Sequence, residues 1–244
     1  MEIHYGFDSL PKGLRTVVTV GSFDGVHEGH HTLLRRLVAM GSSLAAESVV
    51  VTFDPHPRIA MGCAEGMPLL TSVKERAWLL ERLGVQRVVV ARFDDKFRSQ
   101  SFEEFVRLSL VDGLGMVGMV VGYNHRLGRG NEGNYESLKP LAKELGVELE
   151  RVEQYTDLGD KVSSTVLRGL LERGETERAR ELMGHPYIII GGVRGGVLRI
   201  EDRYKLLPAS GVYSAVVDGI AREIEIRGRE ILVEVEDSDI IIEL

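Results

Sequence analysis

One cysteine, Cys63, in 244 residues rules out an intrachain disulfide and fits a reducing compartment. No apolar run approaches the ~18 residues that read as a membrane span. The N-terminus also lacks the basic-then-apolar pattern of a secretory signal. A soluble, cytoplasmic protein is the expectation. Positive charge is not in excess: 30 Lys and Arg stand against 37 Asp and Glu, a net charge of −7. Such a chain has no global attraction to nucleic acid or an anionic membrane, so anionic substrates must be captured by local donors. No cysteine–histidine cluster has zinc-site spacing, and no Gly-x-x-x-x-Gly-Lys-Ser/Thr segment offers a P-loop. The remaining composition, 43% hydrophobic and 27% charged, is ordinary for a globular chain of one large domain or two smaller ones.

What is present is concentrated at Gly21-Ser22-Phe23-Asp24-Gly25-Val26-His27-Glu28-Gly29-His30. The block follows an apolar run, Val17 to Val20, that reads as a buried parallel strand. It leads into apolar residues at helical spacing from His30 onward. In this strand–turn–helix order the glycines Gly21, Gly25 and Gly29 let backbone approach a ligand closely. The helix start presents unpaired N–H groups and a positive dipole end, which suit phosphate. His27 and His30, three residues apart, can both address the phosphate that reacts. Phosphate chemistry is the expected activity, with His27 and His30 as catalytic residues.

The first three-quarters of the chain alternate strands and helices. Strands are expected at 16–20, 48–53, 86–91, 116–122 and 148–153, and helices at 30–40, 73–83, 102–110, 137–145, 165–173 and 176–183. Alternation of this kind predicts an α/β fold, a Rossmann-like parallel sheet with helices on both faces. Ligands then sit at the carboxyl ends of the strands. The character changes near Gly184-His185-Pro186, after which only short strands rich in β-branched residues are expected. The expected domains are 1–184 and 185–244, the second a small all-β unit near the size at which a core is marginal. Gly191–Gly196 reads as a turn. Trp78 is assigned to the core and His31 to the surface, about 100° round the helix from His30. The pairs Asp94-Asp95 and Glu103-Glu104 read as solvated, and His4 and His185 have no evident partners.

Three further blocks follow apolar strands or open a helix. Thr52-Phe53-Asp54-Pro55-His56-Pro57-Arg58 fixes the backbone around His56 with two prolines; alone it reads as a rigid turn. Gly122-Tyr123-Asn124-His125-Arg126-Leu127-Gly128 presents an amide that both donates and accepts. Val162-Ser163-Ser164-Thr165-Val166-Leu167-Arg168 reads as a capped helix start with an arginine one turn in. With the Gly21–His30 block, and in this order, these segments resemble the adenylyltransferase module of bacterial bifunctional riboflavin kinase/FAD synthetases, within the His-x-Gly-His nucleotidylyltransferase superfamily.

The resemblance covers residues 15–190 and implies transfer of AMP from ATP to FMN, giving FAD and pyrophosphate. By it, Gly21, Phe23, Asp24, Gly25, His27, Gly29, His30, Ser163, Ser164, Thr165 and Arg168 bind ATP. His56, Pro57, Asn124 and Arg126 bind flavin. Mg²⁺ bridges phosphate oxygens rather than sitting in a protein cage, so no metal-ligating residue is assigned. The chain carries His125 and Leu127 where the family usually has aromatics. Its tail resembles pieces of the family's kinase barrel but lacks the Pro-Thr-Ala-Asn block, which implies a truncated remnant without riboflavin kinase activity. Two alternatives stand beside this reading: transfer to another phosphomonoester, and a non-catalytic flavin- or nucleotide-binding protein. The sequence leaves open whether residues 185–244 fold alone, form a homo-oligomer or pack on the first domain.

Overall fold

The computed structural model describes residues 1–62, 66–153 and 162–244; Cys63 lies outside them. Two compact units are present. The first comprises Met1–Phe23, Gly29–Glu65 and Leu79–Tyr155, the second Asp24–Glu28, Gly66–Trp78 and Thr156–Leu244. The chain therefore passes between the units within the Gly21–His30 block.

The first unit is a six-stranded, all-parallel, Rossmann-like sheet. Its strands are β1 (Glu2–Tyr5), β2 (Thr16–Val20), β3 (Glu47–Asp54), β4 (Arg87–Arg92), β5 (Met116–Gly122) and β6 (Glu148–Val152), in the order β1-β4-β3-β2-β5-β6. All five residues of β2 are buried, as a central strand with two covered faces requires. Strand order reverses between β2 and β5, so a crevice at their carboxyl ends is the expected ligand position. Edge strand β1 went unread in the sequence because its four residues, Glu-Ile-His-Tyr, are mostly exposed and carry no apolar run.

Helices α1 (Glu28–Ser43), α2 (Pro57–Ala60), α3 (Val73–Arg82), α4 (Asp95–Ser99), α5 (Phe102–Glu104) and α6 (Tyr135–Leu145) connect or follow these strands. The α5 turn continues into a π-helical stretch, Phe105–Gly113. Helix α1 buries His31 with Leu34 and Leu37. This corrects the surface assignment of His31, because three-residue spacing puts it on the apolar stripe. Trp78 is only half-buried. The acidic pairs also act locally: Asp94 caps α4 through the Phe97 N–H at 2.9 Å, and Glu104 closes a capping box with Ser101.

The second unit holds α7 (Ser164–Glu172), α8 (Thr176–Met183) and strands β7 (Ile188–Arg194), β8 (Val197–Arg199), β9 (Gly211–Val217), β10 (Ile220–Arg227), β11 (Glu230–Leu232) and β12 (Asp239–Glu243). These strands close into an antiparallel barrel ordered β10-β11-β8-β7-β12-β9. Period-2 burial of Ile224, Ile226, Ile240 and Ile242 fills its interior. Gly191 and Gly192 belong to β7, and only Gly195-Gly196 forms the turn. A Cβ on Gly191 would lie 3.3 Å from Leu198, which explains a glycine within the strand. The barrel core also takes in Leu167, Leu171 and Met183 of the two helices, and Leu70. Pooling these residues enlarges a core that ~60 residues alone would leave marginal. No helix among the described residues is long and apolar enough to cross a membrane.

Candidate active site

In the first unit, the carboxyl ends of β2, β3, β4 and β5 enclose a cavity of about 600 Å³, within the range of small-molecule sites. Gly21 lines it from the motif turn, Pro57 from the end of β3, and Arg126 and Leu127 from the end of β5. Its apolar wall is an aromatic cluster. Phe53 meets Phe93 and Phe97 edge-on, each at 5.5 Å, and Phe97 meets Phe105 at 5.1 Å. Exposed arginines, Arg98, Arg126 and Arg129, complete the lining. Aromatic rings and guanidinium groups lining one cavity are chemically matched to a planar ligand carrying an anion.

Sequence reasoning missed Phe93 and Phe97 in this wall. They stand four apart after β4, an aromatic pair at helical spacing that could have been read together. The signal was masked by the adjacent Asp94-Asp95. His56 does not line the cavity; its Nδ1 accepts from the Arg58 N–H at 3.2 Å and caps α2. Asn124 is exposed and also lies outside the lining. The His125 Nε2 is buried without a hydrogen-bond partner among the described residues. Burial pushes the His125 imidazolium down to about 4.

The motif turn is conformationally unusual. Phe23 and Val26, both buried, have positive φ of 47° and 41°, beside Gly25 at 84°. A β-branched residue there is a genuine outlier of the kind that clusters at functional sites. A Cβ on Gly21 would stand 3.0 Å from the Phe23 ring. That ring in turn meets His30 edge-on at 5.1 Å. His30 occupies the first turn of α1 together with Gly29, and His27 immediately precedes the helix.

In the second unit the turn is held from both sides. Asp24 is 2% exposed. Its Oδ2 accepts from Arg168 Nη2 at 2.6 Å, and its Oδ1 from the Thr71 N–H at 3.0 Å and Thr71 Oγ1 at 3.3 Å. Ser164 Oγ donates to the Asp24 carbonyl at 3.1 Å, and the Gly25 N–H donates to Thr71 Oγ1 at 3.1 Å. Arg168 Nε also donates to the Pro68 carbonyl at 2.6 Å. His185 Nε2 lies 3.0 Å from the Gly25 carbonyl oxygen and its Nδ1 2.7 Å from that of Pro186. His185 therefore has the partners that were not evident in sequence, as does His4, which contacts Glu2, Ser9 and Arg87. Ser163 caps α7 by accepting from the Val166 N–H, while Thr165 is exposed.

The structure thus brings Asp24, Gly25, Ser164 and Arg168 together in one hydrogen-bonded group centred on Asp24, which Thr71 joins. Thr71 was missed although Ser72-x-x-Glu75 beside it is a readable capping box. Ser72 N–H donates to Glu75 Oε2 at 2.7 Å, and Glu75 N–H to Ser72 Oγ at 3.2 Å. Among the described residues no group of three or more His, Cys, Asp or Glu could hold a metal ion.

A parallel sheet with a glycine turn and His-x-Gly-His opening the following helix defines a nucleotidyltransferase. Comparison with known proteins narrows the class. The family model for FAD synthetase matches residues 11–166, and the chain belongs to that family. It is accordingly an FMN adenylyltransferase of FAD biosynthesis. The bifunctional riboflavin kinase/FMN adenylyltransferase of Escherichia coli K12 is 30% identical over 217 residues, 85% of this chain and 69% of the relative. A FAD synthetase of Listeria monocytogenes is 33% identical over 201 residues, 81% of this chain and 79% of the relative. The crystal structure of a macrolide-efflux protein from Streptococcus pneumoniae superposes with a TM-score of 0.82 at 21% identity. The match covers 100% of this chain and 90% of that one, and shows the shared fold.

Two outcomes are expected. In an NMR pH titration the His125 ring stays neutral until about pH 4. The unfolded chain takes up that proton near the ordinary histidine value, so the folded state loses stability as pH falls from about 6.5 towards 4. His125→Asn removes this part of the acid sensitivity; a His125 midpoint near 6.5 would contradict it. Gly25→Ala places a methyl 2.6 Å from Leu70 Cδ1 at a φ that alanine disfavours. It is expected to lower the unfolding free energy by about 1–3 kcal/mol and to reduce FAD formation, measured by denaturant titration and assay.

Proposed function

We propose that the chain transfers AMP from ATP to FMN, giving FAD and pyrophosphate, and has no riboflavin kinase activity. One observation carries the acceptor. Gly21 of the nucleotidyl-transfer motif lines the same cavity as Phe53, Phe97, Pro57 and Arg126, so the motif opens onto an aromatic, arginine-rimmed site. An isoalloxazine ring suits the phenylalanine walls and a flavin phosphate suits the guanidinium groups. A phosphomonoester without a planar aromatic part would leave those walls unused.

In the reaction, an oxygen of the FMN phosphate attacks the α-phosphorus of ATP in line. The bond from that phosphorus to the β-bridging oxygen breaks, and its electron pair leaves on pyrophosphate. Both groups are already competent, so catalysis is chiefly positioning and charge stabilisation. His27 and His30 donate hydrogen bonds to phosphate oxygens as charge redistributes. The start of α1 supplies backbone N–H groups to the same region. Among the described residues Arg168 spends two of its five donors on Asp24 and Pro68, and in this reading its remaining donors meet the departing pyrophosphate. Ser164 ties the start of α7 to this group through the Asp24 carbonyl, and Ser163 caps that helix. Mg²⁺ would supply neutralising charge to the triphosphate; no cluster of side chains among the described residues would hold it.

The reading that riboflavin kinase activity is absent rests on the sequence of the barrel. The segment between β8 and β9, residues 200–210, holds no Pro-Thr-Ala-Asn sequence. Apolar side chains, including Leu198, Ile226 and Ile231, fill the interior.

A chromatographic assay with Mg²⁺ and ATP tests the reading. FMN is expected to give FAD and pyrophosphate, and riboflavin to give no FMN; FMN formed from riboflavin would overturn the second half. In the same assay Phe97→Ala is expected to raise KM for FMN about tenfold, the scale of one lost aromatic contact. An unchanged KM for FMN would remove the cavity from the acceptor site.

A further inference from the structure

Thr71 makes one hydroxyl serve two partners. Its Oγ1 donates to Asp24 Oδ1 and accepts from the Gly25 N–H, while its own N–H also meets Asp24 Oδ1. Three hydrogen bonds therefore run from one residue to two consecutive positions of the motif turn, two residues before His27. The side chain is 2% exposed, so water does not substitute for any of them.

The segment carrying Thr71 is fixed to the barrel on both sides of it. Leu69 N–H donates to the Tyr204 carbonyl at 2.5 Å, and Leu206 N–H to the Leu69 carbonyl at 2.8 Å. Lys205 Nζ donates to the carbonyls of Leu70 and Ile188, each at 2.8 Å, and pairs with Glu75 Oε2 at 2.9 Å. Glu75 accepts from Ser72 N–H with one oxygen and from Ile190 N–H, at 3.0 Å, with the other. The side chains of Lys205 and Glu75 are each 2% exposed. Burial pulls the ammonium below the ordinary lysine range while Glu75 opposes the shift. Every hydrogen of that ammonium has an acceptor, as a buried charge requires.

We propose that Thr71 is a positioning residue for adenylyl transfer, and that the barrel, through the Lys205–Glu75 pair, holds it against Asp24 and Gly25. The barrel then serves the nucleotide turn rather than a second active site. This rests on the proposed adenylyl transfer to FMN, and the experiment separates the two.

Thr71→Val keeps the shape and deletes the hydroxyl; Thr71→Ser keeps the hydroxyl. Thr71→Val is expected to lower kcat for FAD formation at least about tenfold, since small misplacements of a reacting group cost up to a hundredfold. KM for FMN is expected to stay within about twofold, because Thr71 does not line the aromatic cavity. Thr71→Ser is expected to recover most of the loss. A kcat for Thr71→Val within about twofold of the parent, or a serine variant as poor as the valine one, overturns the proposal. Calorimetric binding of a non-hydrolysable ATP analogue is the second readout and needs no acceptor. Weakening of about tenfold by Thr71→Val supports positioning even if the parent makes no FAD, in which case the FMN reading fails alone. Unweakened binding in a parent that makes no FAD overturns both.

The barrel's part is tested with Lys205→Met/Glu75→Leu, which removes the anchoring bonds without stranding a buried charge. Its kcat is expected to fall at least about fivefold, with no further loss when Thr71→Val is added. An unchanged kcat, or fully multiplicative losses, overturns the link to the barrel.

Discussion

The buried carboxylate of Asp24 is the constraint on which the second unit's part of the site depends. An ionised group at 2% exposure is tenable only with its partners present. Here both oxygens are taken, one by Arg168 and one by Thr71. Taking away one partner of such a buried pair typically costs about 3–5 kcal/mol, mainly because the other is left desolvated and alone. The arrangement therefore fixes three distant stretches of sequence, residues 24–25, 71 and 164–168, in one geometry. It also orients the fork of Arg168, which is held by Asp24 and Pro68.

Much of the fold could be read from the chain because its signals are periodic. Strands β2 and β5 and helix α8 begin and end where alternation and helical spacing place them. What escaped was non-periodic or non-local. Strand β1 has no apolar run, and Gly191 and Gly192 look like a turn until the close approach of Leu198 is known. His31 was misassigned by its sequence neighbour rather than by its place on the Leu34 and Leu37 stripe. In the site, the Gly21–His30 block announced its own chemistry, but its supports did not. Thr71, His185 and Lys205 reach their partners across 46, 160 and 135 residues, distances at which no local pattern exists. The cavity's aromatic wall was similarly hidden, because Phe53, Phe93 and Phe97 come together only when β3 and β4 pair in register.

The small β domain gains a physical rationale from its core. Sixty residues of short strands and turns bury little by themselves. The structure instead pools the barrel interior with α7, α8 and Leu70 in one cluster. Residues on both sides of position 185 contribute to this one hydrophobic cluster.

The proposed function stands on attack of the FMN phosphate at the α-phosphorus of ATP. FMN labelled with ¹⁸O in its phosphate, followed by mass spectrometry after one turnover, locates the oxygens. All of the label is expected in FAD, and the pyrophosphate released is expected to be unlabelled. Label in pyrophosphate, or FAD formed without retention of the FMN phosphate oxygens, would contradict it.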